Sequence, residues 1–226
     1  MSSSININRN ALSEELLKWW AKNQRKFPWR KTQDPYRILI SEVLLHRTKA
    51  EQVVPIYSEF IAKYPTIKDL SITSLDNIKK LLYHLGLHWR TELLHKMSVL
   101  VAKEYGGKIP STKRELESLP GVSHYIASAV RCFAFGCPES LLDTNIVRIL
   151  GRIFGIKTTD ESRRSKRFQE LSESILDKEN TREFNYALID LGALICRPKE
   201  PLCKPCPLNQ MCNLGSRRLR KAQQLL

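Results

Sequence analysis

Four of the six cysteines, Cys196, Cys203, Cys206 and Cys212, form one C-x6-C-x2-C-x5-C run. Thiolates that bind a shared centre must converge, and a short loop closes at little entropic cost. Pro198, Pro201, Pro205 and Pro207 stiffen that loop further. Three kinds of chemistry use such a run. Two disulfides need an oxidising compartment. A structural zinc site more usually shows two C-x2-C knuckles, and one is present here. A [4Fe–4S] cluster needs four thiolates and tolerates uneven spacing. Cys132 and Cys137 stand apart and read as small buried apolar residues.

Two carboxylates sit in suggestive settings. Asp143 opens Asp-Thr-Asn-Ile-Val-Arg148, where it is a good helix N-cap. A carboxylate there could also stabilise a developing cation. Glu42 lies in Ile-Leu-Ile-Ser-Glu-Val-Leu-Leu45, and helical spacing puts Ile38 and Leu45 on its own face. Its carboxyl is therefore either paired with a basic residue or desolvated with a raised pKa, which suits a general acid. A third feature is Leu119-Pro120-Gly121-Val122-Ser123-His124-Tyr125, set between two helical runs, with Thr112 and Glu115 as a capping box for the first. A tight glycine turn into a helix N-terminus aims backbone N–H groups outward, where a phosphate can accept them. Arg131 follows on the second helix. An ordinary helix–turn–helix connection would read the same way.

The elements that carry these residues are helical throughout. Apolar periodicity predicts helices over 12–25, 37–47, 50–64, 75–85, 90–105, 113–119, 125–135, 145–154, 165–176 and 183–196, with Pro55 able to kink the third. Period-2 alternation is almost absent, so the fold class is all-α. After the cysteine run, Arg217, Arg218, Arg220 and Lys221 form a basic tail that reads as a solvated end. The 226 residues are 42 % hydrophobic and 27 % charged, the profile of a folded chain. With 37 Lys and Arg against 23 Asp and Glu, the net charge of +14 points to an acidic partner, nucleic acid first. The longest apolar stretch, 38–45, falls far short of the roughly 20 residues a membrane span requires. The start, Met1 to Arg9, has no apolar leader core, so a cytoplasmic, nucleoid-associated protein with reduced cysteines is expected.

Taken together, the Leu119–Tyr125 hairpin, the Leu142–Arg148 segment and the cysteine run closely resemble the helix–hairpin–helix DNA glycosylases of the endonuclease III superfamily. The resemblance covers about residues 27–212. It implies a six-helix barrel domain over 30–135, with the hairpin at about 112–131, and an iron–sulfur domain built from 1–29 plus 136–226. It implies a [4Fe–4S] cluster on Cys196, Cys203, Cys206 and Cys212, and DNA contacts from Leu119, Gly121, Val122, Ser123 and His124. The chain departs from the family at Ser123, where Gly is usual and where Ser would cost backbone freedom.

The resemblance further makes Asp143 the catalytic aspartate beside C1′ of a flipped nucleotide. Members that also cleave the strand carry a Lys 18 residues before it as a Schiff-base nucleophile. Here that position is Tyr125, which would pack against the flipped base, leaving a monofunctional enzyme that uses water. The run Pro35-Tyr36 to Glu42 and Thr48 is similar to adenine glycosylases and mismatch thymine glycosylases alike. Adenine glycosylases tend to have Ser at 125, Gln-Gln at 46–47 and an extra C-terminal domain. Tyr125 with His46-Arg47 therefore points to removal of T or U opposite G, with His46 and Leu87 at positions resembling wedge residues. The expected partners are mismatched duplex DNA and a downstream abasic-site endonuclease, with the protein a monomer. Adenine removal, and a non-catalytic iron–sulfur DNA-binding module, are the alternatives.

Overall fold

A computed structural model of the chain describes residues 8–86 and 88–223. Every regular element among them is helical, and none of the helices is long and apolar enough to cross a membrane. The chain divides into two compact units, residues 26–137 and residues 1–25 with 138–226.

The unit over 26–137 is built from seven helices: α2 (Pro35–Leu45), α3 (Ala50–Lys63), α4 (Ile67–Ser71), α5 (Leu75–Leu82), α6 (His88–Glu104), α7 (Lys113–Ser118) and α8 (His124–Phe135). Asp34 caps α2 through the Arg37 N–H, and Pro35 takes the first helical position, where no N–H is needed. Eight of the eleven α2 residues are buried, so this helix is core on nearly every side. It packs on α3 and α8, while α4 and α5 pack on α6. Tyr36 donates its hydroxyl to the Tyr64 carbonyl at 2.7 Å, tying the start of α2 to the end of α3. Pro55 lies inside α3 and the helix runs through it. Apolar periodicity misses α4, because five residues are too few to show a period. Its signature is instead the capping box of Thr66 and Asp69.

The other unit contains α1 (Arg9–Asn23), α9 (Thr144–Phe154), α10 (Lys166–Ser174), α11 (Thr181–Leu194) and α12 (Asn213–Gln223). Leu12 and Leu16 are fully buried where α1 lies on α11. That contact is keyed by Asp190, which has no exposure to solvent. Its carboxylate accepts from the Trp20 indole at 2.9 Å, the Arg25 backbone at 3.1 Å and the Arg25 Nε at 2.7 Å. A buried carboxylate satisfied this way is stable only while all its donors are in place. Helix α9 packs against α10, α11 and α12. The basic tail after the cysteine run forms α12, and Arg217 and Arg218 are exposed on it. Its polar composition hides it from apolar periodicity.

Candidate active site and nucleic-acid interface

The hairpin is assembled from local hydrogen bonds. Thr112 caps α7 by accepting the Glu115 N–H, and its hydroxyl meets the Glu115 carboxylate. Leu119 ends α7, and the Val122 N–H returns to the Leu119 carbonyl at 3.1 Å. Gly121 stands at φ 81°, in the left-handed region, and a Cβ there would come within 3.1 Å of Leu93 Cβ on α6. Leu119 and Val122 are buried, so they anchor the turn from beneath. Ser123 has extended backbone at φ −82° and accepts the Ile126 N–H as the N-cap of α8. The expected cost of Ser in place of Gly is therefore absent, since an extended residue needs no glycine and Ser adds a cap. His124 is exposed and its Nδ1 lies 2.7 Å from a Glu117 carboxylate oxygen, stapling the two helices. Arg131 donates from Nη1 to the Ser111 carbonyl at 2.6 Å, which spends part of its guanidinium on bracing the hairpin. Tyr125 is half-buried in the first turn of α8.

Helix α8 packs on α2, which brings the hairpin helix and the helix of Glu42 together in one unit. Glu42 is 7 % exposed, among the fully buried Ile38, Leu39 and Ile40 of its own helix. At the end of α2 the chain turns sharply. His46 is exposed, and Arg47 is the one non-glycine residue with positive φ, 62°, among the described residues. The His46 ring meets Trp89 edge-to-face, with centroids 6.4 Å apart. Arg90 is buried, lies 5.0 Å from the Trp89 ring centroid, and donates from Nη1 to the Val43 carbonyl at 3.4 Å. Burial, and then the charge of Arg47, push the Arg90 guanidinium below its usual pKa. Leu87 lies outside the described residues. Sequence periodicity overlooked Trp89 and Arg90. The available signal was a tryptophan set in the polar run His88-Trp89-Arg90, where no core position is expected.

Asp143 belongs to the other unit, where it is the N-cap of α9. One carboxylate oxygen accepts the Ile146 N–H at 2.7 Å and the second accepts the Asn145 side-chain amide at 2.9 Å. A carboxylate held by two donors has a fixed orientation, which suits electrostatic stabilisation of a cation.

The same helix grips the cysteine loop. Arg148 donates to the Cys196 and Gly192 carbonyls at 2.8 and 2.9 Å. Arg152 donates to Cys196 Sγ at 3.3 Å and to the carbonyls of Arg197 and Pro198. Gly215 donates its N–H to Cys212 Sγ at 3.5 Å, and its own Cβ would stand 2.5 Å from the Asn209 carbonyl oxygen, so α12 can start this close only with glycine. All four cysteines are free and half-buried. Burial first, and then the charges of the other three, push the Cys206 thiol up to about 12. Cys212 is raised likewise, by burial first and then by Cys196 and Cys203. Among the described residues no three of His, Cys, Asp and Glu are gathered closely enough to hold a metal ion. Cys206 and Cys212 are both raised by their neighbouring cysteines after burial, a repulsion that a cationic centre would relieve.

Among the described residues the fold is all-helical, and α7, the Leu119–Ser123 turn and α8 form a helix–hairpin–helix within it. Residues 40–174 match the model of the HhH-GPD superfamily, described as base excision DNA repair proteins, and the chain belongs to that superfamily. It is 36 % identical to the thymine/uracil-DNA glycosylase of Methanothermobacter thermautotrophicus, over 94 % of this chain and 97 % of that one. It is 39 % identical to the thymine-DNA glycosylase of Aeropyrum pernix, over 89 % of this chain and 93 % of the relative. Among solved structures, a thermostable thymine-DNA glycosylase superposes with a TM-score of 0.87 at 36 % identity, covering 92 % of this chain and 97 % of that one.

Proposed function

We propose that this protein is a monofunctional DNA glycosylase that flips and excises thymine or uracil mispaired with guanine. The observation that carries the reading is the likeness, over nearly the whole of both chains, to glycosylases named for those two bases. A mispaired base costs less to extrude, which supplies part of the selectivity. In the reaction the N-glycosidic bond breaks while water forms a new bond to C1′. The water's hydroxyl stays on the sugar and its proton is released as the base leaves. Asp143 is assigned to stabilising the cationic sugar, Glu42 to protonating the leaving base, and Tyr125 to packing against the flipped ring. With Tyr at position 125, no amine is offered there to form a Schiff base, so the strand survives base release. Leu119, Gly121, Val122, Ser123 and His124 hold phosphate at the hairpin, with His46, Arg47 and Leu87 near the vacated gap.

The same reading gives a six-helix barrel domain over 30–135 and an iron–sulfur domain from 1–29 plus 136–226. Cys196, Cys203, Cys206 and Cys212 are proposed to hold a [4Fe–4S] cluster. When bound, the cluster would tether the four thiolates of the loop to one centre. Arg148 and Arg152 hold that loop on α9 from the protein side. The enzyme acts as a monomer on duplex DNA in a cytoplasmic, nucleoid-associated setting and hands its product to an abasic-site endonuclease.

A single-turnover assay tests this on labelled duplexes with T:G, U:G, A:G and A:8-oxoguanine pairs, each product divided into alkali-treated and untreated halves. Release of T and U opposite G, with breaks only after alkali, is the expected result. Release of adenine alone, or breaks without alkali, would overturn the reading.

A further inference from the structure

The cluster at the end of α2 holds a residue that the reaction above does not use. Trp89 is 57 % exposed, an unfavourable setting for a large apolar ring unless a partner covers it. It is also held in place. The Arg90 guanidinium lies against the ring, and His46 meets it at an interplanar angle of 84°. Arg90 is only 6 % exposed, and its Nε has no hydrogen-bond partner. Arg47 is exposed and keeps a positive φ that a non-glycine residue adopts at a cost of about 1 kcal/mol or more. Such strain persists where the surroundings enforce it and is concentrated at ligand-contacting sites. Two guanidinium groups, one of them desolvated, thus share a small region with an exposed indole.

That combination selects a ligand that is both flat and anionic. An anion relieves the repulsion between Arg47 and Arg90, and a flat ring covers the open indole. Nucleic acid offers both in one molecule, the base for the ring and the phosphate for the guanidinium groups. A regularly stacked duplex does not present base faces, so the ligand must have an interrupted stack.

We propose that Trp89 is a further DNA-contacting residue of this protein, one that stacks on a base left without its neighbour where the duplex is interrupted. The inference rests on the reading of the protein as a base-flipping enzyme, since base flipping is what interrupts the stack. Because His46 and Arg90 already hold the indole, little side-chain entropy remains to be lost on stacking.

The test uses the full chain and a fluorescein-labelled duplex with a tetrahydrofuran abasic site opposite guanine, alongside the fully paired duplex. Tryptophan emission is read against Trp89→Phe, which keeps the other three tryptophans, Trp19, Trp20 and Trp29. The wild type is expected to lose emission on adding the abasic duplex, and Trp89→Phe to lose that response while binding within about 3-fold of wild type. Trp89→Ala is expected to weaken binding to the abasic duplex by about 5- to 150-fold, the range for loss of one stacked base, and to change binding to paired DNA little. Quenching that persists in Trp89→Phe, or unchanged affinity in Trp89→Ala, overturns the inference. A thermal unfolding midpoint shared by all three proteins shows that the fold is not at issue. If wild type releases mispaired pyrimidine and Trp89→Ala binds as tightly, only this inference falls. If Trp89→Ala loses abasic-site affinity while wild type releases no base, the stacking role stands and the glycosylase reading falls. Absence of any DNA binding by wild type removes both.

Discussion

In the proposed reaction Asp143 serves stability and chemistry with one side chain. Both of its oxygens are engaged, one by the Ile146 N–H and one by the Asn145 amide, so the carboxylate is a cap by geometry and a fixed negative charge by consequence. The two roles separate on substitution. Asparagine caps a helix about as well as aspartate but carries no charge, so Asp143→Asn is expected to keep its unfolding midpoint and its DNA affinity. Its base release should fall about 10²- to 10³-fold, the usual loss when a charge-stabilising group is removed. Single-turnover rates beside a thermal melt would check it, and a large drop in melting temperature would mean that the charge, and not only the cap, holds α9. Glu42 could be read from sequence only as paired or desolvated, because helical spacing gives its own face and says nothing of the helices opposite. The structure buries it on a helix that packs against α8.

At the scale of the element, the hairpin is the clearest case of sequence specifying structure. Pro120-Gly121 ends α7, Ser123 starts α8, and the left-handed φ of Gly121 is what a glycine permits. What the local sequence omits is Leu93, whose Cβ on α6 sets how close the turn can come. Gly121→Ala is therefore expected to cost about 1–2 kcal/mol of stability from the backbone conformation alone. It should also weaken binding to any duplex, paired or mismatched, because the displaced turn carries the N–H groups proposed to hold phosphate. Urea unfolding and anisotropy titrations would measure the two effects. Helices α4 and α12 were missed for the same reason as each other. Neither shows an apolar period, the first because it is too short and the second because it is too polar; α4 is fixed by its capping box and by packing on α6, and α12 by packing on α9.

For the molecule as a whole, burial of phenols in the unit over 26–137 sets an alkaline limit. Burial, more than the nearby Asp34 carboxylate, pushes the Tyr57 phenol up to about 12 against the pull of Arg37. Tyr36 is raised further, by burial first and then by Asp69 and Asp34. In the unfolded chain both ionise near the ordinary value of about 10. The stabilisation is thus complete below about pH 10 and is lost as pH rises from there toward 12, at about 1.4 kcal/mol per pH unit for each such phenol. Urea midpoints at pH 9, 10 and 11 should fall, and Tyr36→Phe should fall less steeply. An equal slope in that variant would refute the assignment. Apolar periodicity was enough to determine the all-helical class of the described residues, and the hairpin, the Leu142–Arg148 segment and the cysteine run the superfamily, because spacing along one helix or turn is a local property. The sequence alone did not place Trp89 in the open between His46 and Arg90, put α8 against the Glu42 helix, or lay Arg148 and Arg152 on the cysteine loop. Apart from the neighbours Trp89 and Arg90, those contacts join residues 40 or more positions apart, and only packing of the folded chain decides them.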